Sequence, residues 1–328
     1  MKKILLSLVT LFAAATSAFA GDIITNGGFE SWTDGACDGW KSTTTASNCT
    51  ITQSADAHSG NSSVQIPEGK ENTRLGSKEY RLKAGTYTMK AYVKGAGFVS
   101  IGYVPIANYV VLNYAYSSKV TTTADGWTEV TKEFTLDKDT KVNFVLMNTK
   151  KMGVKLVDDF SVTTEDGGLA EEPTAFAAEG EGTLENPYNS VAANKAALEL
   201  APGATATSEA YVKGIVHVIN YAYSAKSLSF LISPDGTDNG AFYCFKVTSD
   251  EDPGLKEGDL VVLSGKLTNF KGTPEFAAGA KIVSITTGIS TIAAEANKAQ
   301  VIYGLDGRRL TKAVRGVNII NGKKVIVK

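Results

Sequence analysis

Short runs in which apolar and polar residues alternate dominate the first half of the chain. The runs span 63–66, 78–82, 86–93, 98–104, 110–116, 128–136, 141–147 and 154–163. Turn-forming segments rich in Gly, Asp and Lys separate them, as in Lys83-Ala84-Gly85 and Ala124-Asp125-Gly126. Period-2 alternation with short turns and no helical period is typical of half-buried strands. The pattern therefore predicts an all-β sandwich of jelly-roll type over 21–165.

The pattern changes twice in the second half. Residues 166–181 form an acidic Gly-, Ala- and Glu-rich stretch with no strand period, which predicts a linker. An Ala-rich amphipathic run at 190–200 ends at Pro202-Gly203 and predicts a helix. Five strand-like runs follow and predict a β-barrel over 182–288. These runs span 209–219, 227–233, 241–248, 259–267 and 281–286.

Residues 1–20 have the pattern of a cleaved signal peptide. Lys2 and Lys3 precede a short apolar run, and small residues stand before a cleavage point after Ala20. The run is shorter than the ~20 apolar residues of a membrane span. Removal of the two lysines moves the formal charge from −1 to −3, which favours neither nucleic acid nor an anionic membrane as a partner. We expect an exported protein, secreted or at the cell surface, without a membrane span.

Two of the three cysteines lie close together in the sequence. In an exported chain, Cys37 and Cys49 are expected to form a disulfide, with two free thiols as the alternative. Cys244 alternates with aromatic residues and is expected in the core.

Several ordered motifs of the first domain resemble those of jelly-roll carbohydrate-binding modules. They are Asn26-Gly27-Gly28-Phe29-Glu30, Gly39-Trp40, Ser59-Gly60-Asn61, Leu82-Lys83-Ala84-Gly85, Gly126-Trp127 and Val157-Asp158-Asp159-Phe160. The resemblance covers nearly the whole domain and implies a sandwich whose first and last segments lie side by side. It also implies a non-catalytic protein that binds a polysaccharide or another glycan.

In such modules a structural calcium ion commonly joins the first and last strands. The resemblance makes Glu30 and Asp158 or Asp159 the candidate carboxylate ligands, since Ca²⁺ takes 6–8 oxygen ligands. The alternative is that these acids cap strand ends or face water.

Sugar recognition needs flat aromatic faces and polar groups for the hydroxyls. Trp32, Trp40 and Trp127 are expected in the core. Tyr114 and Tyr116 stand two residues apart on one predicted strand and therefore share a face. They form either a binding platform or an inward pair that fills the sandwich. The candidate binding residues are Tyr103, Tyr109, Asn113, Tyr114, Tyr116 and, in a polar loop, Arg74.

The second domain resembles OB-fold barrels of exported Bacteroidetes proteins, on Tyr211-Val212-Lys213-Gly214 and the run 258–267. Aromatic residues are present, but residues 181–288 contain eight lysines, no arginine and twelve acids. Because phosphate contacts supply most non-specific affinity for nucleic acid, we expect no nucleic-acid binding. Residues 220–226 nearly repeat residues 113–119.

The last forty residues carry a formal charge of +6, while the rest of the mature chain is acidic. Two hairpin-like units, one with an Asn321-Gly322 turn, predict a small β module at 289–328. This segment resembles the sorting domains of Bacteroidetes type IX secretion cargo, which implies contact with secretion machinery. The alternative is a module that packs on the barrel.

The sequence contains two histidines and none of the common hydrolase, metalloprotease or phosphate-binding motifs. We therefore expect no enzyme. The expected function is glycan binding; the alternatives are a structural or adhesive surface protein without a sugar site and a protein that binds its ligand through the barrel.

Overall fold

The computed structural model describes residues 22–42 and 49–287 and, beyond them, the backbone of four strands between 302 and 327. The predicted signal peptide lies outside the described residues. The chain divides into two compact units, Met1–Ala175 and Phe176–Lys328. No helix in the described part qualifies as a membrane span.

The described residues of the first unit form fourteen strands. They are β1 (Trp32–Thr33), β2 (Ala36–Cys37), β3 (Trp40–Ser42), β4 (Thr52–Ser54), β5 (Ser63–Ile66), β6 (Thr73–Leu82), β7 (Gly85–Lys94), β8 (Gly97–Ala107), β9 (Val110–Val111), β10 (Ala115–Tyr116), β11 (Val120–Thr122), β12 (Thr128–Leu136), β13 (Thr140–Asn148) and β14 (Lys155–Thr164).

Two antiparallel sheets form a sandwich. The seven-stranded sheet has the order β10-β8-β13-β6-β3, with β9 and β11 also paired to β8. The five-stranded sheet has the order β12-β7-β14-β5-β4. The predicted strand 110–116 is interrupted, because residues 112–114 leave the ladder between β9 and β10. The predicted jelly-roll-type β-sandwich is confirmed.

The opening segment of the first unit lies beside its last strand. The Ile23 amide donates to the Val162 carbonyl at 2.9 Å, and the Phe160 amide donates to the Gly27 carbonyl at 2.9 Å. A side chain at Gly27 would place its Cβ 2.0 Å from the Phe160 carbonyl oxygen, so only glycine allows this approach. The predicted closure of the sandwich is therefore confirmed.

Trp40 lies in the core between both ends of the domain. Its ring centroid is 4.9 Å from that of Phe29 and 5.0 Å from that of Phe160. Trp32 is half-buried and packs against the same core. The core prediction is wrong for Trp127, which is half-exposed and lies at 5.7 Å from the His58 ring.

The predicted Cys37–Cys49 disulfide is also wrong, because both residues are free and buried. Asn26 Nδ2 donates to Cys37 Sγ, whereas Cys49 Sγ donates to the Arg74 carbonyl. Each thiol is thus packed against a different part of the core. Cys244 is fully buried in the second unit, as predicted.

In its described part, the second unit has one helix and twelve strands. Its elements are β15 (Tyr188–Asn189), α1 (Ser190–Leu198), β16 (Ala210–Ser224), β17 (Ser227–Ser233), β18 (Phe242–Thr248), β19 (Leu260–Gly265), β20 (Leu267–Phe270), β21 (Thr273–Phe276), β22 (Lys281–Thr286), β23 (Ile302–Gly304), β24 (Arg309–Leu310), β25 (Gly316–Ile320) and β26 (Lys323–Val327).

Five of these strands close a barrel in the order β16-β17-β18-β22-β19 and back to β16. Only the β18–β22 pair is parallel within this ring. The hairpin β20–β21 extends the sheet, since β21 pairs with β18 in parallel. Helix α1 begins after Asn189, whose side chain accepts from the Ala192 amide at 2.8 Å, and its buried Ala193 and Ala197 join the barrel core. The predicted β-barrel is confirmed.

The four described C-terminal strands form an antiparallel sheet in the order β24-β23-β25-β26. Both predicted hairpin-like units contribute to it.

Candidate functional site

A continuous row of residues crosses the outer face of the seven-stranded sheet. From β3 to β10 the row is Lys41, Gly76, Val145, Gly102 and Tyr116. It faces away from the core, because the neighbours of Val145 on β13, Phe144 and Leu146, are core residues. Two of its five positions are glycines, so bulky side chains from neighbouring strands have room to lie across the sheet.

The Tyr116 side chain occupies the space above Gly102. A Cβ on Gly102 would lie 2.9 Å from Cδ1 of Tyr116 and 2.4 Å from the Ala115 carbonyl oxygen. The Tyr116 ring therefore lies directly over the backbone of β8. Val145 is completely buried although it points away from the sandwich core, which shows that side chains cover this face.

Tyr114 and Tyr116 form a parallel aromatic pair. Their ring centroids lie 5.4 Å apart with an interplanar angle of 1°. Both rings are half-buried, and neither belongs to the sandwich core. The sequence left open whether the two tyrosines point outward or fill the sandwich. In the structure they point outward.

Arg74 joins the pair from β6. Its Nε donates to the Tyr116 hydroxyl at 2.9 Å, and its guanidinium carbon lies 5.1 Å from the Tyr114 ring centroid. The sequence placed Arg74 in a polar loop; it lies instead within a ten-residue strand. Burial raises the pKa of the Tyr116 hydroxyl, and the positive charge of Arg74 opposes this shift. The structure thus unites three of the six predicted binding residues.

Tyr103 does not belong to this surface. Its ring packs inward at 4.3 Å from Phe134 of the other sheet and contacts the sandwich core. Alternation along β8 explains the difference, because Tyr103 follows Gly102 and therefore faces the opposite side. The prediction that Tyr103 contacts a ligand on this face is wrong.

Tyr109 and Asn113 are exposed outside the pair. Tyr109 is 48% exposed at the turn between β8 and β9. Ala107, beside this turn, is five residues along β8 from Gly102, about 17 Å at the usual strand rise. Asn113 lies in the irregular 112–114 segment next to Tyr114. Tyr109 is therefore distant from Tyr116 by backbone position, whereas Asn113 is adjacent to Tyr114.

The predicted metal ligands surround the loop 58–62. Oε1 of Glu30 accepts from the Asn61 and Ser62 amides at 2.7 and 3.0 Å. Oδ2 of Asp158 accepts from the His58 and Ser59 amides at 2.7 and 3.1 Å.

Asp158 and Asp159 are further engaged. Oδ1 of Asp158 accepts from the Asp159 amide at 2.7 Å. Oδ2 of Asp159 pairs with His58 Nδ1 at 2.6 Å, and its Oδ1 accepts from the Ser59 hydroxyl at 2.7 Å.

This arrangement does not fit a calcium ion. Five carboxylate oxygens already face N–H, O–H or imidazole groups, whose positive ends repel a cation, while Ca²⁺ requires several oxygens directed at one centre. Among the described residues, no three His, Cys, Asp or Glu side chains are grouped so that they could hold a metal. The three acids instead fasten the loop between the first and last segments of the domain.

The structure contains a second aromatic cluster that was not predicted from the sequence. His58 stacks on Tyr92 at 3.8 Å with an angle of 10°, and Trp127 approaches His58 edge-on. The Tyr92 hydroxyl donates to Glu129 at 2.8 Å. Alternation in β7 gave a usable signal, because Tyr92 stands between the buried Ala91 and Val93 and so faces outward. His58 gave none, since it lies in a loop.

Comparison with known proteins gives one family match. Residues 21–150 match the family model described as "Carbohydrate binding domain". The match covers less than half of the chain and ends before β14. A search of curated proteins found no match.

Solved structures that match part of the chain include carbohydrate-binding modules. The CBM22-1 xylan-binding domain of Xyn10C from Paenibacillus barcinonensis is 14% identical, with 46% of this chain and 97% of that chain covered and a TM-score of 0.37. The module TmCBM61 in complex with β-1,4-galactotriose is 20% identical, with 44% and 99% covered and a TM-score of 0.32. A family 16 carbohydrate-binding module is 18% identical, with 43% and 99% covered and a TM-score of 0.33.

Proposed function

We propose that the chain is an exported, non-catalytic glycan-binding protein whose first domain holds a polysaccharide on the outer face of the seven-stranded sheet. One observation carries the proposal: Tyr114 and Tyr116 form a parallel, half-exposed pair that Arg74 holds in place. The match of residues 21–150 to a carbohydrate-binding domain supports the same assignment.

The chemistry of this face suits a sugar chain. The apolar C–H face of a pyranose ring packs on an aromatic ring, and both tyrosines offer such rings in one orientation. Arg74 supplies donors for hydroxyl groups, and Asn113 supplies both a donor and an acceptor beside Tyr114. Because Arg74 already fixes both rings, little side-chain entropy is lost when a ligand binds.

Export and sorting belong to the same proposal. The signal-like segment 1–20 and the +6 charge of the last forty residues support a secreted or surface-attached protein whose tail contacts secretion machinery. Deletion of residues 289–328, followed by fractionation of cells and medium, tests the tail. Unchanged export of the shortened chain would favour a tail that serves packing alone.

Affinity electrophoresis and titration calorimetry test the binding function. The full mature chain is tested against soluble xylan, β-1,4-galactan, mixed-linkage β-glucan, mannan and starch. We expect retention by at least one polysaccharide, and loss of at least part of that binding in Tyr114→Ala and Tyr116→Ala. Tyr109→Ala is the matched control, since Tyr109 is exposed and its turn lies five residues along β8 from Gly102, which Tyr116 covers. No retention on any of these glycans would favour a structural or adhesive surface protein.

A further inference from the structure

The second domain carries a near copy of the segment that forms the tyrosine pair. Residues 220–226, Asn-Tyr-Ala-Tyr-Ser-Ala-Lys, match residues 113–119 at six of seven positions. In the barrel this segment forms the end of β16 and the turn into β17. The two copies therefore sit in unrelated folds, so shared architecture does not account for the repeat.

Tyr223 of the second copy has a structural role. It packs against the barrel core, and its hydroxyl donates to the Ser249 and Asp250 carbonyls at 3.2 and 3.1 Å. Tyr221, in contrast, is 59% exposed. The copy thus leaves one tyrosine ring open on the barrel surface.

A polar group lies beside this open ring, on the outer face of the barrel. Phe242 and Cys244 enter the barrel core, so Tyr243 between them faces outward. The Tyr243 hydroxyl is hydrogen-bonded to the Asn220 and Ser229 side chains. Asn220, the first residue of the copied segment, is therefore hydrogen-bonded to Tyr243 on this face.

Glu275 lies on the same face. It pairs with Tyr243 across the β18–β21 ladder, and its neighbour Phe276 enters the core. Glu275 is 6% exposed, and its carboxyl oxygens are not among the fully enclosed, unpartnered polar atoms of the described residues, so they remain within reach of a ligand from outside.

Glu275 and Tyr221 together offer a ligand one carboxyl group and one aromatic ring. Glu275 and Tyr221 both lie close enough to the Tyr243 hydroxyl to raise its pKa, which places the carboxyl group and the open ring near the same residue. Burial raises the pKa of Glu275 to about 7, so near neutral pH its carboxyl group can both donate to and accept from a hydroxyl. The half-buried Phe245, 5.8 Å from Tyr243, adds a further aromatic group.

The charge of the domain selects the ligand class. Residues 181–288 contain eight lysines, no arginine and twelve acids, so an anionic polymer is disfavoured. An uncharged, hydroxyl-rich ligand uses the aromatic ring and the carboxyl group together.

We propose that the barrel contains a second glycan-binding site, in which Tyr221 stacks on a sugar ring and Glu275 and Asn220 bind its hydroxyls. This inference rests on the proposed glycan-binding function. It makes the protein bivalent, with one site in each domain, so a polysaccharide that engages both is held more tightly than either site alone allows.

Titration calorimetry on the full mature chain tests the proposal, with oligosaccharides of whichever polysaccharide retains the wild-type protein. The variants are Tyr221→Ala, Glu275→Leu, Tyr114→Ala and the double variant Tyr114→Ala/Tyr221→Ala. Tyr221→Phe keeps the ring and should bind as the wild type does. Lys226→Ala is the control at the same hairpin, because Lys226 is exposed and pairs only with the exposed Asp250 at 3.6 Å. Thermal unfolding of each variant checks that it is folded.

We expect two binding sites per wild-type chain. Tyr221→Ala should lose one site and Tyr114→Ala the other, and polysaccharide affinity should fall at least tenfold in each. One site per chain, abolished by Tyr114→Ala and unchanged in both Tyr221→Ala and Glu275→Leu, would overturn this inference and leave the first-domain function intact. Binding lost only in the barrel variants would support the barrel site and overturn the first-domain site. No binding at all would overturn both.

Discussion

Arg74 donates a hydrogen bond from Nε to the Tyr116 hydroxyl at 2.9 Å across two intervening strands. Strands β6 and β10 are three strand spacings apart, about 14 Å, so both side chains must lie nearly flat on the sheet to meet. Gly102 permits this on the β10 side. The contact therefore depends jointly on a long cation, a long aromatic residue and a glycine between them.

Replacement of Arg74 tests whether this contact organises the binding face. Arg74→Lys keeps the charge but loses the planar group above Tyr114 and the Nε donor, and the two side chains are not equivalent at such a site. We expect glycan affinity to fall about 3- to 10-fold, or about 0.7–1.4 kcal/mol, in calorimetric titrations. Lys119→Ala, an exposed cation near Tyr116, should have no effect. Equal affinity in Arg74→Lys and the wild type would mean that glycan binding does not depend on the contacts of Arg74 with Tyr114 and Tyr116.

Gly102→Ala tests the role of the open row. The added Cβ would lie 2.4 Å from the Ala115 carbonyl oxygen and 2.9 Å from Tyr116 Cδ1, so β10 and the Tyr116 ring must shift. We expect glycan binding to fall at least tenfold, with a loss of stability of about 1–3 kcal/mol, measured by urea unfolding. Gly126→Ala is the matched control, since its Cβ would meet only the Thr123 hydroxyl at 3.8 Å. Wild-type binding in Gly102→Ala would place the ligand elsewhere.

Period-2 alternation sufficed to predict the two β domains. It also predicted Tyr114 and Tyr116 on one face, and their rings are parallel although Tyr114 precedes β10. The same alternation could have separated Tyr103 from Gly102, yet an isolated aromatic residue gives no sign of which face is the core. The core prediction for Trp127 rested on the resemblance to carbohydrate-binding modules, in which this position packs the sandwich, whereas here Trp127 lies beside His58.

Contacts that cross the sheet could not be predicted. The meeting of Arg74 and Tyr116 depends on the order β10-β8-β13-β6, which no local pattern encodes. The acids at Glu30, Asp158 and Asp159 were located correctly at the junction of first and last segments. Their partners, the amides of residues 58–62, lie about a hundred positions from Asp158, so the sequence could not show that hydrogen bonds engage these carboxylates.

Chelation tests the calcium prediction directly. Because amides, a hydroxyl and His58 occupy the carboxylates at the junction, we expect EDTA to leave the melting temperature of the first domain unchanged. Tryptophan emission reports this domain selectively, since Trp32, Trp40 and Trp127 all lie in the first unit. A fall in melting temperature that added Ca²⁺ reverses, and Mg²⁺ does not, would restore the metal site.

Asp158→Asn tests the hydrogen bonds that fasten the loop 58–62. The Asp158 carboxylate accepts from three backbone amides, and an asparagine would direct an NH₂ group at one or two of them. We expect a loss of about 1–3 kcal/mol, which lowers the melting temperature of a domain of this size by about 3–10 °C. Asp56→Asn, which removes only the exposed pair with Lys94 at 2.7 Å, should cost less than about 1 kcal/mol. Equal losses in the two variants would show that the loop is not fastened through Asp158.

The buried Glu275 predicts how the stability of the barrel depends on pH. Burial raises the pKa of this carboxyl from its ordinary 4.5 to about 7, so the folded barrel binds the proton more tightly than the unfolded chain. Stability that depends on this proton is complete below pH 4.5, falls as the pH rises toward 7 and is lost above it. If the full shift is realised, the loss by pH 8 is on the order of 3 kcal/mol. Glu275→Gln cannot ionise and should remove this contribution to the pH dependence.

Cys244 provides the measurement. It is a buried, free thiol and the only cysteine in the second unit, so its alkylation in urea, quantified by mass spectrometry, follows the unfolding of the barrel. Between pH 4 and 8 the wild-type midpoint should fall relative to that of Glu275→Gln, while tryptophan emission from the first domain should show the same midpoint in both proteins. If the Cys244 midpoints of the wild type and Glu275→Gln depend on pH in the same way, ionisation of Glu275 does not destabilise the barrel. The carboxyl group would then be hydrated in the folded protein.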